Sequence, residues 1–312
     1  MIGLHQVYIV AGLTFAAFAL LSARDASNPR RLANAAFWGL LAVSMLAGDR
    51  IGDFGNGLLV LALVGIAGFG GLGRGEVATD PAERTAKAER YGNRLFLLAA
   101  VIPFAALGGT LGFKLLPGLV DPKQVTLVSL AMGVLLALGI GLVWLRPRPL
   151  APLEEGRRLM DAVGWAAVLP QMLASLGAVF ALAGVGQVVG DLATAVIPEG
   201  SRLGAVVAYG LGMAAFTMVM GNAFAAFPVM AAAIGLPLLV HQYHGDPAVI
   251  AAIGMLAGFC GTLMTPMAAN FNVVPAALLD LADRNAVVKA QVPTALPLLV
   301  VNIALIWFLA FP

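Results

Sequence analysis

The chain has 312 residues, of which 61% are hydrophobic and 11% charged, and its formal net charge is +2. A water-soluble domain is nearer half apolar and a quarter charged, so this composition excludes a soluble globular protein and places the chain in a bilayer. The small positive charge is spread over short connections and gives no footing for a nucleic-acid partner, while the one cysteine, Cys260, excludes disulfides and a zinc cluster within the chain.

In chain order the apolar runs cover about 4–21, 33–48, 55–72, 95–112, 124–145 and 163–189. A long broken run follows at 204–240, a second broken run at 248–279, and a plain run at 291–311. Most are near the roughly 17–25 residues that cross the hydrocarbon layer as helix. None alternates polar with apolar residues, which argues against an outer-membrane barrel. Met1 to His5 carry no basic region, so the first run is expected to stay as a span rather than be removed as a signal. The pattern predicts an all-α polytopic membrane protein with about eight transmembrane helices, one re-entrant hairpin at 204–240 and a discontinuous helix near 255–278. Residues 1–145 read as a five-helix scaffold, 146–158 as a cytoplasmic loop and 159–312 as a transport-like half.

Basic residues predict the orientation. Of the 18 Lys and Arg, 14 fall in alternate connections, from Arg24, Arg30 and Arg31 to Arg284 and Lys289. By the positive-inside rule those connections are cytoplasmic and both termini lie outside. The run at 204–240 must then begin and end on the outer side, as a re-entrant hairpin or as two short spans. The hairpin is preferred, because Gly221 and Asn222 fall at its middle and each arm is a little short for a full crossing.

A helix is interrupted in lipid only where protein or a water-filled cavity receives the freed backbone groups. The two late breaks are therefore candidate site elements. In "MGNAFAAFP" Gly221 permits close approach of a ligand and Asn222 offers an amide, with Ala223 beside them. In "CGTLMTPMAANFNVVP" Gly261, Thr262, Thr265 and Pro266 end one half-helix, and Asn270 and Asn272 lie just beyond. Freed N–H groups favour an anion and freed carbonyls a small cation, so facing breaks suit a carboxylate bound with Na⁺. Gly, Pro and Asn also serve ordinary packing of membrane helices, which is the competing reading. Two separate breaks, each with asparagine, weigh toward a site.

Other polar positions read more plainly. "GVGQVVGD" (184–191) roughens the sixth run, and Gln187 reads as interfacial. Asp161 and Asp191 read as solvated carboxylates at span ends, and 73–94 as a solvated loop with some amphipathic helical character. His241 and His244 have only Asp246 beside them, which does not make a metal site. Between Leu203 and Leu279 the only acid is Asp246 and there is no Lys or Arg, which favours Na⁺ over H⁺ as a coupling ion. No HExxH, GxSxG or Walker A sequence occurs, so the chain does not read as an enzyme and needs no cofactor.

"GNAFAAFPVM" followed by "CGTLMTPMAANFNVVP" resembles the second half of ion-transporter-superfamily permeases, which include gluconate and dicarboxylate carriers. "LGAVFALAGVGQVVGDL" is similar to the Gly-rich span preceding their hairpin. Over its whole length the chain is similar to a bacterial membrane family known as domain of unknown function 979, through "VYIVAGLTFAAFALLSARDASNPRRLANAAFWGLLA", "GNGLLVLALVGIAGFGGLGRG" and "GFCGTLMTPMAANFN". That resemblance implies one subunit of a two-component 5-oxoproline transporter in the bacterial inner membrane, paired with a smaller membrane protein of a sister family. It makes Gly221, Asn222 and Ala223 the hairpin tip, and Thr262, Thr265, Pro266, Asn270 and Asn272 the opposing break. Only one hairpin-and-break set is visible, whereas an inverted-repeat carrier needs two. The second half of the site is thus expected from the partner. The alternatives are a non-transporting membrane scaffold and a carrier of another small organic acid.

Overall fold

The computed structural model describes residues 1–75, 81–116, 118–198, 200–279 and 281–311. Its described residues form helices joined by short turns, with one isolated bridge between Ile2 and Val120. Seven helices among them are long and apolar enough to cross a membrane, or eight if the bent pair at Ser175–Ala193 counts as one span. The protein is an all-α polytopic membrane protein. Its contacts divide it into two compact units, Met1–Asp161 and Ala162–Pro312.

In the first unit α1 (Leu4–Arg24) packs along α2 (Arg31–Gly65). Phe15, Phe18, Phe37 and Trp38 interlock there, with Phe15 stacked on Trp38 at 5.9 Å. α2 is interrupted at Gly52, whose φ of 73° and ψ of 177° fit only glycine without strain. The chain doubles back at this point. Ser44 Oγ lies 3.4 Å from Asn56 Oδ1, although twelve residues of straight helix would separate them by about 18 Å. Asn56 fastens the reversal by donating to the carbonyls of Gly48 and Gly52. α4 (Phe96–Lys114) and α5 (Val125–Leu145) form a second pair, following α3 (Pro81–Tyr91).

The expected loop at 146–158 is instead largely helical, as the first part of α6 (Ala151–Val163). Its polar residues Glu154, Arg157, Arg158 and Asp161 recur at three- and four-residue spacing, so they share one stripe of the helix. A run too polar to cross lipid is thereby helical and amphipathic.

In the second unit α7 (Leu169–Leu182) and α8 (Val185–Val196) meet at a bend of 70°. α9 (Arg202–Met220) and α10 (Ala223–Met230) follow, and α10 continues as a π-helix to Gln242. α11 (Pro247–Leu263), α12 (Ala269–Leu278) and α13 (Ala286–Leu309) complete the unit. Ser201 caps α9 through the Gly204 N–H, and Asp246 caps α11 through the N–H groups of Ala248 and Val249. The hairpin arms reach from Arg202 to Met220 and from Ala223 to Gln242, 19 and 20 residues. Each is long enough to cross, because the helices begin at Arg202 and end at Gln242, beyond the apolar core of the run.

The arms are antiparallel: Gly212 faces Met230, and Gly235 faces Tyr209. α11 runs parallel to α9, with Gly254 on Tyr209, Gly258 on Met213 and Thr217, and Gly261 on the Ala214 backbone. Tyr209, Met213, Met230, Leu239 and Ile306 form the buried centre of this bundle. Since α9 and α11 run the same way, the end of α11 is delivered to the hairpin tip.

Candidate functional site

Met220 is the last residue of α9, and Gly221 stops the helix in a left-handed cap with φ 73° and ψ 4°. Its N–H donates to Thr217 O at 2.7 Å. Asn222 is extended and begins α10, its Oδ1 accepting from the Phe224 N–H at 2.8 Å. Two residues thus turn the chain through a hairpin, and the Asn222 amide oxygen is engaged as a helix cap. Ala223 is buried against Gly258 of α11.

The second break runs from Met264 to Ala268. Pro266 has no N–H and disfavours helix in the residue before it, so α11 ends there. Thr265 is buried; its Oγ1 donates to Met218 O at 2.9 Å and accepts from the Met267 N–H at 3.2 Å. Asn272 is fully buried and its Nδ2 donates to two carbonyls, Thr262 O at 2.9 Å and Thr265 O at 2.6 Å. These bonds fix the amide's orientation. Its Oδ1 therefore can only accept, and it has no protein partner among the described residues.

Tip and break touch. A Cβ on Gly221 would lie 2.5 Å from Met267 O, and the Thr265 hydroxyl reaches the last turn of α9. The residues singled out from the sequence nonetheless differ in kind. Gly261 serves close helix packing, since a Cβ there would lie 2.3 Å from Ala214 O. Thr262 is buried and its Oγ1 donates to Gly258 O at 3.3 Å within its own helix. Thr262, Thr265 and Asn272 thus hold backbone, whereas Asn222 is half-buried and Pro266 and Asn270 are exposed. Replacing Asn222 by alanine is expected to remove the cap and about 1 kcal/mol of stability, read as a lower thermal unfolding midpoint in detergent.

A further polar cluster lies in the first unit. Asp161 is not a solvated carboxylate: it is 5% exposed. Its Oδ1 accepts from Asn34 Nδ2 at 2.8 Å and Trp38 Nε1 at 2.7 Å, and its Oδ2 from Arg157 Nη1 at 3.2 Å. The same Nη1 donates to Asp25 Oδ2 at 2.8 Å. Asn34 and Asn28 both donate to Gly73 O, and Asn34 Oδ1 accepts from the Gly73 N–H. Burial pushes the Asp161 carboxyl above its ordinary value despite its donors. Burial acts the same way on Asp25, but the bonds from Ser27 and Arg157 and the guanidinium charge outweigh it and hold that carboxyl low. The spacing Arg157–Asp161, four apart on an amphipathic pattern, was the sequence signal for this cluster. Asp191 and Gln187 lie exposed on α8.

An apolar bundle in which a helix hairpin is set against an interrupted helix, with a buried amide holding the break, defines the class: a polytopic α-helical membrane protein. Within that class the chain belongs to the family described as "Protein of unknown function (DUF979)", whose model matches residues 5–311. No curated protein and no solved structure matches it.

Proposed function

We propose that the protein is one subunit of a secondary transporter that imports a small carboxylate, 5-oxoproline in the first instance. The observation that supports this reading is the junction of hairpin tip and helix break, where Gly221 lies against Met267 and Thr265 bonds to Met218. Interrupted helices within an apolar bundle present backbone N–H and C=O groups that a plain span keeps to itself. Asn222 and Asn270 stand at the accessible rim of the junction and are the side chains proposed to meet the carboxylate. The coupling ion is proposed to be Na⁺, held by carbonyls of the break, with Asn272 Oδ1, which has no partner among the described residues, as a side-chain acceptor beside them.

The choice of 5-oxoproline rests on the family resemblance, since nothing in these side chains selects a lactam. The same resemblance supplies the bacterial inner membrane and a smaller partner subunit completing the site. The distribution of Lys and Arg supports termini on the outer side. One observation favours a second reading, a non-transporting scaffold: the Thr262, Thr265 and Asn272 side chains all bond to backbone within the bundle.

Uptake of radiolabelled 5-oxoproline into vesicles decides between them, with this chain alone, its sister-family partner alone, and both. Uptake is expected with both chains and to fall at least tenfold in Asn270→Ala, whose side chain is exposed. Uptake no greater than in empty vesicles removes the substrate. Full uptake in both Asn222→Ala and Asn270→Ala removes the junction as the site and leaves the scaffold reading.

A further inference from the structure

The cluster around Asp161 gathers two carboxylates, Asp25 and Asp161, but one guanidinium, Arg157. Among the described residues these are the charged groups bonded within it, and Arg30 packs beside it against Gly71 and Gly73. α2 contributes the neutral Asn34 and Trp38, the 71–75 segment contributes the Gly73 backbone, and Glu155 and Arg158 on α6 pair with each other at 2.7 Å. With both acids ionised, the bonded set of Asp25, Arg157 and Asp161 carries one net negative charge. The side chains of Arg157 and Asp161 are 9% and 2% exposed, so that charge sits where water stabilises it poorly.

The guanidinium divides unequally. A single nitrogen, Nη1, serves both acids, at 2.8 Å to Asp25 and 3.2 Å to Asp161, while the buried Nε has no partner among the described residues. Asp25 takes the shorter bond and is the more exposed of the two, at 13%. It also accepts from the backbone N–H and the hydroxyl of Ser27. Asp161 is left with the weaker ionic partner and two neutral donors, both on Oδ1. Those neutral donors suit the carbonyl oxygen of a carboxylic acid as well as a carboxylate. Oδ2 is the oxygen with room in its bonding for a proton.

We propose that Asp161 is a proton-binding site, and that seating α6 on α1 and α2 takes up one proton from solvent onto its Oδ2. Arg157 then pairs with Asp25 alone and the buried cluster is neutral. This site lies outside the tip-and-break junction and does not depend on what that junction carries.

Asp161 has its carboxyl raised, so seating of α6 is strongest at low pH and weakens as pH climbs from the ordinary aspartate value through the raised one. Asp25, held low, acts in the opposite sense: its contribution is present above about 3.8 and is lost below it.

Infrared difference spectroscopy on the full chain in lipid nanodiscs reads the proton directly, as the C=O stretch of a protonated carboxylic acid. In the wild type that band is expected to persist above the range where an ordinary aspartate titrates, and to vanish on further titration. It is expected to be missing in Asp161→Asn, which keeps an acceptor for Asn34 and Trp38 and mimics the neutral acid in shape. In Asp25→Asn, Arg157 is freed for Asp161, so the band is expected to titrate away at about tenfold higher proton concentration, one pH unit lower. No wild-type band above the ordinary aspartate range, a band that survives in Asp161→Asn, or an unmoved titration in Asp25→Asn each overturns the proposal. The wild type and Asp25→Asn decide the matter even if Asp161→Asn does not fold. The readout involves no transport, so its failure is separate from a failure of the uptake reading.

Discussion

Replacing Gly221 by alanine is expected to destabilise the protein by at least about 2 kcal/mol and to abolish uptake. Two penalties act at one position. The left-handed backbone at φ 73° costs a non-glycine residue roughly 1–2 kcal/mol. The added methyl would also lie 2.5 Å from the Met267 carbonyl oxygen and 2.7 Å from its carbon, atoms of a backbone that Thr265 and Asn272 hold in place. The methyl enters only if tip and break part. Gly108→Ala is the control. It sits inside α4 with nothing within 4 Å of the new Cβ, so it is expected to be neutral or to stabilise by up to about 1 kcal/mol. Thermal unfolding of both variants in detergent, beside vesicle uptake, measures the contrast. An unchanged midpoint for Gly221→Ala would place the tip away from Met267.

The second large effect is expected at Asn272. Its Nδ2 satisfies two carbonyls at the end of α11, and the side chain is fully buried. Asn272→Leu keeps the approximate volume but orphans both carbonyls, at about 1–3 kcal/mol each. Asn272→Asp is expected to be worse, since an ionised carboxylate would face two carbonyl oxygens without a donor. The order of stability is wild type, then Leu, then Asp. If Asn272→Leu unfolds at the wild-type midpoint, the staple contributes nothing to holding the break.

Some of this architecture is visible without coordinates because its causes are local. Gly221–Asn222 reads as a turn from residue type alone, since glycine permits the left-handed cap and asparagine is a strong helix N-cap. Pro266 stops α11 for equally local reasons. Gly52 was less transparent. The polar stretch around it reads as a connection, but the tight reversal through Asn56 requires knowing that Asn56 returns to Gly48. A polar run between apolar ones reads as a loop, and only the burial of Arg157 and Asp161 shows what the polar stripe of α6 meets.

The sequence by itself determined the solvent, the helical class and the places where helices break, because apolar content, span length, glycine and proline act through the chain's immediate surroundings. It also brought the two late breaks forward as a pair. Only the tertiary structure decided what their side chains do. The Thr262, Thr265 and Asn272 side chains bond to backbone, while Asn222 caps a helix and Asn270 stands exposed. The same holds for Asp161, which sits 123 residues from Trp38 and 127 from Asn34. A hydrogen-bonding group serves whichever partner folding brings to it, and partners that distant in sequence are chosen by the packing of whole helices.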